Sequence, residues 1–247
     1  MHTAKLPDHT LSLLEALRHA EGIGEFVLVG GTALTLRHQH RLSEDLDFAY
    51  TGSRLPRAEI SRIIAQLRDT GWSAAPIPDP RALDEFADDG LDLNDYQQDF
   101  LVGENPADGG SQTKLTFFRP SDPVLLDGSG REQHGDVAVA GDAEIFGLKS
   151  LILAERIRSR DVFDLWWLLE NAGFTVADME RAYRLAQQAD NLQTAFARIA
   201  RGRYAKSDPG YIGTLPGMPD RDQAQQLLWN KISDWLEARA IEAFRAS

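Results

Sequence analysis

The chain has 247 residues, of which 43% are hydrophobic and 26% are charged, so it can bury a real core in one large domain or two small ones. It contains no cysteine, which excludes disulfides and thiolate metal sites, and no apolar run approaches the roughly 18–20 residues that cross a bilayer. The first residues, MHTAKLPDHT, lack the layout of a secretory signal, so we expect a cytoplasmic protein with no membrane partner.

The net charge of −12 is concentrated in one segment. Residues 76–147 contain 16 acidic and 4 basic residues, whereas basic residues lead by 10 to 7 between residues 149 and 206. An acidic chain disfavours a nucleic-acid partner, but the parts on either side of this segment are close enough to neutral to tolerate a polyanion. Most of the acidic residues are expected to lie on solvated surface.

The first half of the chain predicts a mixture of helices and strands. Thr10 is the candidate N-cap of an amphipathic helix over LSLLEALRHA, and the acidic stretch 84–99 is interpreted as a loop or a poorly packed edge. Apolar periodicity predicts further helices over 32–40 and 57–70, and strands over 26–29, 45–50, from 72 onward, 112–118 and 136–140.

The second half predicts helices only. Asp142 is the candidate N-cap of the first, and Trp166 and Trp167 in the second are expected to be core residues. Three more helices are predicted from Thr175, over 192–199 and over 222–244, with a loop at 209–219. The sequence therefore predicts an α+β protein, in which a mixed sheet with flanking helices is followed by a helical bundle, divided near residue 141.

Two carboxylates, Asp45 and Asp47, alternate with apolar residues in DLDFAY. In a strand, Asp45 and Asp47 share one face while Leu46 and Phe48 share the other. A divalent cation would relieve the repulsion between the carboxylates, and oxygen ligands suit Mg²⁺ or Mn²⁺. The alternative for an isolated pair of this kind is a solvent-facing edge strand.

Gly30, Gly31 and Thr32 follow the apolar strand and precede a predicted helix. The backbone N–H groups at such a helix start bind phosphate, glycines allow close approach, and the Thr32 hydroxyl adds a donor. Glycines alone could mark only a turn. Together with Asp45 and Asp47 they predict a phosphate-binding turn beside a metal site.

These residues carry a family resemblance. The stretch GGTALTLRHQHRLSEDLDF resembles the opening motif of nucleotidyltransferases of the DNA polymerase β superfamily, and specifically of the AbiEii/AbiGii toxins known from abortive infection and type IV toxin–antitoxin systems. A second block, EIFGLKSLILAERIRSRDVFDLWWLLE, resembles the lysine and R-D-x-x-D-like block of the same family, with Lys149, Arg160, Asp161 and Asp164. The resemblance implies a polymerase-β-like nucleotidyltransferase domain over 1–141 and a helical domain over 142–247 that completes the active-site cleft.

The resemblance also implies roles for individual residues. Asp45 and Asp47 would hold Mg²⁺ (or Mn²⁺) on a nucleoside triphosphate, and Lys149 would contact the triphosphate. Apolar neighbours place Lys149 near a buried stripe, although a surface lysine is the alternative. Asp164 lies among apolar residues and needs a partner such as Lys149, whereas Asp161 could simply pair with a neighbouring arginine. We predict catalytic roles for Asp45, Asp47, Lys149 and Asp164, and nucleotide binding by Asp161.

Further nucleotide contacts are predicted between the glycines and the carboxylates. Arg37, His38, His40 and Arg41 form a cationic cluster that could attract a triphosphate or an RNA backbone, and Arg41 is assigned to nucleotide binding. Ser43 is assigned there as well because it could share the face of Asp45, with a turn serine as the alternative.

One element of the superfamily pattern is missing. Polymerase-β-type enzymes usually have a third carboxylate on a later strand, but QTKLTFF offers Lys114 and no acid, and Asp136 is weakly placed. Lys114 is interpreted as either a solvent-facing strand lysine or a phosphate contact.

We therefore predict a Mg²⁺-dependent nucleotidyltransferase toxin that transfers a nucleoside monophosphate from an NTP to a hydroxyl. A tRNA 3′ end as the acceptor and a cognate antitoxin encoded nearby are implied by the resemblance alone. The alternatives are transfer to a small molecule such as an aminoglycoside or to a protein side chain, and a nucleotide-binding module without catalysis.

Overall fold

A computed structural model of the chain describes residues 5–104 and 111–246. The chain forms two compact units, residues 1–141 and residues 142–247. Within the described ranges, no helix is both long enough and apolar enough to cross a membrane.

The N-terminal unit is built on a mixed seven-stranded sheet. The strands are β1 Val27–Val29, β2 Leu46–Ala49, β3 Trp72–Pro76, β4 Gln97–Glu104, β5 Gln112–Phe118, β6 Glu132–His134 and β7 Val137–Val139, and the helices are α1 Asp8–Leu17, α2 Gly30–His38, α3 Arg57–Asp69 and α4 Pro80–Asp88. The strand order is β3-β4-β5-β2-β1-β7-β6. β2 pairs with β5, and β1 with β7, in parallel, while the other neighbours are antiparallel.

One face of this sheet forms the core of the unit. Phe48 on β2 and Phe117 on β5 are fully buried with their ring centroids 5.7 Å apart, and Phe26 packs edge-on against Phe117. α1 packs against β4 and β5. Thr10 lies inside α1, which begins at Asp8, so its prediction as an N-cap is wrong: its buried hydroxyl donates instead to the Glu44 carbonyl at 2.9 Å.

The acidic stretch 84–99 is more ordered than predicted. Asp79 caps α4 by accepting from two backbone N–H groups, and Pro80 occupies the first helical turn. The end of the stretch enters β4, which lies between β3 and β5 inside the sheet. The interpretation as loop or edge is wrong at the two ends of the stretch, because Asp84, Glu85 and Asp88 lie on α4 and Asp99 lies within β4 with its side chain only 11% exposed.

The C-terminal unit consists of helices that pack on one another, as predicted. They are α5 Asp142–Glu155, α6 Ser159–Asn171, α7 Val176–Leu185, α8 Leu192–Arg201 and α9 Arg221–Ala246. α6 supplies much of the core, where Trp166 and Trp167 are buried as expected. Thr175 and Asp178 form a reciprocal capping box at the start of α7.

The loop between α8 and α9 is fastened to the start of α6. Asp208 accepts the Ser159 backbone N–H at 2.8 Å and the Ser159 hydroxyl, and it also accepts the Gly210 N–H at 2.8 Å. The ring of Tyr211 stacks on Phe163 with centroids 4.2 Å apart. Asp208 thus caps α6 from a distant part of the chain, and α6 carries Asp161 and Asp164 in its first two turns.

Replacement of Asp208 with alanine removes this cap and should lower the free energy of unfolding by about 1–2 kcal/mol, measured by urea denaturation. The matched control is Asp234→Ala on the exposed surface of α9, which should change the free energy by less than about 0.5 kcal/mol. Equal losses in the two variants would contradict the capping role.

The contribution of Asp208 should also depend on pH. Partial burial raises the pKa of Asp208, but hydrogen bonds from Ser159 and Gly210 outweigh it and hold this pKa below its ordinary value. Because the folded-state pKa lies below the unfolded one, the stabilisation is complete above about pH 4 and is lost as pH falls through the folded-state pKa. The stability difference between wild type and Asp208→Ala should therefore shrink below about pH 4.

Candidate active site

The start of α2 brings a carboxylate against the backbone. α2 begins at Gly30, two residues earlier than predicted, so both glycines lie in its first turn. Gly30 has a φ of +72°, and a Cβ added there would lie 2.9 Å from Oδ2 of Asp47. Antiparallel pairing of β1 and β2 explains this approach, because Asp47 stands opposite Val29, the residue before Gly30. The Asp47 carboxylate therefore lies beside the N-terminus of α2.

A layer of polar side chains supports the other side of this turn. A Cβ on Gly31 would collide with the Arg41 guanidinium and would lie 2.9 Å from the Ser43 hydroxyl oxygen. The buried Thr32 hydroxyl lies 2.9 Å from Ser43 Oγ and also hydrogen-bonds the Asp45 carbonyl. Thr32 and Ser43 thus fasten α2 to the segment that leads into β2.

The predicted cationic cluster does not form one exposed patch. His40 is fully buried and Arg41 is only 2% exposed, with its guanidinium donating to the Leu42 carbonyl at 2.8 Å. Arg37 pairs with Glu132 on β6 at 2.8 Å. Arg41 therefore supports the glycine turn from beneath, and its assignment to nucleotide binding stays a prediction.

Asp45 lies immediately before β2 rather than within it. Its carbonyl is held by Thr32, and its side chain belongs to a half-buried residue, as does that of Asp47. In the described ranges, 5–104 and 111–246, no group of three or more histidine or acidic residues could hold a metal ion. Two carboxylates still fit Mg²⁺, because this ion is commonly bound through one or two carboxylates together with water and substrate phosphates.

Three charged residues form a buried cluster in the C-terminal unit. The Lys149 ammonium on α5 lies 2.7 Å from Asp161 Oδ1 and 2.9 Å from Asp164 Oδ2 on α6. Asp164 is completely buried, and Lys149 and Asp161 are 7% and 8% exposed. The predicted partnership of Lys149 with Asp164 is therefore seen, and Asp161 joins it.

The electrostatics of this cluster are asymmetric. Burial raises the pKa of Asp161, but the charge and hydrogen bond of Lys149, with help from Arg156, outweigh it and hold that pKa below its ordinary value. The Lys149 ammonium therefore contacts two carboxylates in a low-dielectric interior. Within the described residues, Asp161 Oδ2 is buried and has no hydrogen-bond partner.

Two residues beside Asp47 escaped the sequence reasoning. Thr116 on β5 pairs with Asp47 on β2, and Asp99 on β4 pairs with Thr116. Asp99 lies in the stretch interpreted as loop or edge, and only the strand order brings it next to Thr116. The alternation of polar residues in QTKLTFF could have indicated Lys114 and Thr116, but not their neighbours.

Lys149→Met should remove the ammonium that contacts both Asp161 and Asp164 in the interior, lowering the free energy of unfolding by about 3–5 kcal/mol. Lys231→Met is the control, since it breaks an exposed 2.7 Å ion pair with Glu170 and should cost at most about 1 kcal/mol. Urea denaturation of both variants measures the difference. Similar small losses of stability in both variants would show that Lys149 contributes no more than an exposed ion pair does.

A family model described as nucleotidyl transferase AbiEii toxin, type IV TA system, matches residues 12–238. The uncharacterized protein aq_aa25 of Aquifex aeolicus is 27% identical over 173 residues, which cover 68% of this chain and 70% of that protein. Two crystal structures from Helicobacter pylori share the fold: a "putative nucleotidyltransferase" (TM-score 0.52, 18% identity, 95% and 96% coverage) and JHP933 (TM-score 0.51, 17% identity, 96% of both chains). The family resemblance and the enzyme class predicted from the motifs are confirmed: the chain belongs to the AbiEii family of nucleotidyl transferase toxins.

Proposed function

We propose that this nucleotidyltransferase is Mg²⁺-dependent and transfers a nucleoside monophosphate from an NTP to a hydroxyl of an RNA, the 3′ end of a tRNA. The observation that carries the proposal is the position of the Asp47 carboxylate beside the glycine turn at the start of α2. The Asp47 carboxylate offers a binding site for a cation, and the adjacent N-terminus of α2 offers a binding site for a phosphate group.

The N-terminus of α2 is the proposed phosphate-binding site. The first N–H groups of α2 have no acceptor within the helix, and the helix dipole adds partial positive charge there. Because Gly30 and Gly31 have no side chains, Asp47 and Arg41 pack directly against the turn, and we propose that a phosphate oxygen binds the N–H groups at the start of α2. Thr32, Ser43 and Arg41 hold the turn in place from the protein side.

Asp45 and Asp47 are the residues that would hold Mg²⁺ or Mn²⁺. When bound, such an ion neutralises charge on the polyphosphate and on the leaving pyrophosphate. In the transfer, the acceptor oxygen forms a bond to the α-phosphorus while the bond from that phosphorus to the β-phosphate oxygen breaks, and the hydroxyl proton is released. The catalytic roles of Lys149 and Asp164 and the nucleotide contact of Asp161 stay predictions from the family motif.

The acceptor is proposed from the family resemblance and from the charge distribution. Residues 76–147 contain 16 acidic and 4 basic residues, so the net negative charge is concentrated in this segment and the rest of the chain is close enough to neutral to receive a polyanion. A cationic small molecule is the second candidate, because the exposed carboxylates of α4 would attract it. As a toxin of a type IV system, the protein is expected to act in the cytoplasm and to have a cognate antitoxin encoded nearby.

Incubation of the protein with each labelled NTP, Mg²⁺ and total RNA tests the proposal. Labelled tRNA is the expected product. If RNA whose 3′ ends were oxidised with periodate before the reaction is no longer labelled, the acceptor is the 3′-terminal hydroxyl. Label on a small molecule or a protein would redirect the proposal to that acceptor, and binding without any transfer would contradict it.

Asp45→Asn and Asp47→Asn should each lower transfer by at least about a thousandfold, because a neutral amide of the same shape is a poor Mg²⁺ ligand. Asp84→Asn removes an exposed carboxylate of α4 and should leave transfer within about twofold. Undiminished transfer by Asp45→Asn would remove this residue from the site.

Gly30→Ala tests the contact itself, with Gly71→Ala as its matched control. Both glycines have positive φ, +72° and +96°, so both variants should lose about 1–2 kcal/mol of stability through backbone strain. At Gly71 a Cβ meets nothing within 4 Å, whereas at Gly30 it meets the Asp47 carboxylate and must turn it away. Only Gly30→Ala should therefore lose transfer activity beyond its loss of stability. Equal activity in the two variants would show that the position of Asp47 is unimportant.

A further inference from the structure

A row of polar side chains extends the candidate site across three strands. Asp47 on β2, Thr116 on β5 and Asp99 on β4 are paired in register. Paired residues on neighbouring strands project from the same face of a sheet, so Thr116 and Asp99 lie on the face that carries the Asp47 carboxylate. The core residues Phe48 and Phe117 lie on the opposite face.

Asp99 is tightly held within this row. Its Oδ1 accepts the Thr116 hydroxyl at 2.8 Å, and its Oδ2 accepts the Gln97 amide at 2.9 Å. The same Oδ2 lies 3.1 Å from the Lys114 ammonium, and the Asp99 side chain is only 11% exposed. Asp99 therefore acts as a fixed anchor for the end of the Lys114 side chain.

Lys114 is directed along the same face and remains accessible. It lies two residues before Thr116 on β5, so its side chain projects from the face of the sheet that carries Thr116 and Asp47. The Lys114 side chain is 41% exposed. An ammonium group has three N–H donors, and the contact with Asp99 uses one of them.

A lysine on this face suits a polyphosphate substrate. A Mg²⁺ ion held by Asp45 and Asp47 would neutralise only part of the charge of a triphosphate, and a lysine ammonium binds phosphate as a point charge. The contact with the mostly buried Asp99 restrains the Lys114 side chain on this face and leaves it accessible.

We propose that Lys114, anchored by Asp99, binds a phosphate group of the substrate at the candidate active site. This inference rests on the proposed function and adds a substrate-binding residue to it. The phosphate belongs either to the NTP or to the backbone of the RNA acceptor, and the two sources share the same chemistry. Asp99 is a positioning residue, since it acts through Lys114.

Steady-state transfer by Lys114→Met, with NTP and RNA varied in turn, tests the proposal. Loss of one charge-assisted phosphate contact should raise one KM by about ten- to a hundredfold. A higher KM for NTP assigns the contact to the nucleotide, and a higher KM for RNA assigns it to the acceptor. In the second case the slope of log affinity for RNA against log salt should also become shallower by about 0.7.

Two further variants separate binding from structural support. Lys114→Arg keeps the positive charge and should restore most of the lost affinity, whereas Asp99→Asn keeps the hydrogen bond from Thr116, releases the ammonium and should give an intermediate KM. Lys231→Met removes a lysine of similar exposure from a surface pair and should leave both KM values unchanged.

The proposal is overturned if Lys114→Met matches Lys231→Met in both KM values, in kcat and in salt dependence. That result would leave the proposed function intact, since wild type would still transfer nucleotide. Absence of transfer by wild type would instead contradict the proposed function, and equal NTP affinities of wild type and Lys114→Met in equilibrium dialysis with Mg²⁺ would then overturn the nucleotide contact as well.

Discussion

The contact between the Asp47 carboxylate and the Gly30 backbone is the constraint on which the candidate site depends. β1 and β2 run antiparallel, so the residue that ends β1 stands opposite Asp47, and the chain must turn at once into α2. A side chain at Gly30 would strain the backbone and occupy the space of the carboxylate oxygen. The contact also places a negative charge at the positive end of a helix, which is a favourable arrangement before any ligand binds. A short loop and one pair of strands thus supply most of the geometry.

The buried cluster of the C-terminal unit has a different energetic character. Lys149, Asp161 and Asp164 attract one another strongly in a low dielectric, but the removal of each charge from water costs a large free energy. Such clusters can often be replaced by apolar residues without loss of stability. Packing alone therefore does not explain why three charged residues occupy the core beside Phe163 and Trp166. Asp208 fixes the start of α6, the helix that carries Asp161 and Asp164, and so helps to position both carboxylates.

Much of this arrangement could be predicted from the sequence because it is local. The glycine pair, Asp45 and Asp47 lie within one short stretch, and the helical spacing of Asp161 and Asp164 places both on one side of α6. The Thr10 prediction failed because it required tertiary context: Thr10 has cap chemistry but bonds a distant carbonyl. The burial of Arg41 against the glycine turn also depends on tertiary context, which its surface-type side chain does not reveal. Asp99 could not be predicted at all. Its place beside Thr116 follows from a strand order that no local pattern encodes, and the carboxylates around it resembled solvated loop.

The parallel strand pairs determine how late during translation the sheet of the N-terminal unit can be completed. Val27 pairs with Ala138, and Asp47 pairs with Thr116, so the centre of the sheet joins parts of the chain that leave the ribosome far apart in time. Such non-local pairing forms slowly, because the conformational entropy of the intervening chain is lost before the stabilising contacts form. A nascent chain ending before β5 already contains the glycine turn and both carboxylates but has no strand on which to complete the row. Translation of a protein from a toxin family can therefore proceed through the first hundred residues before the assembled site exists.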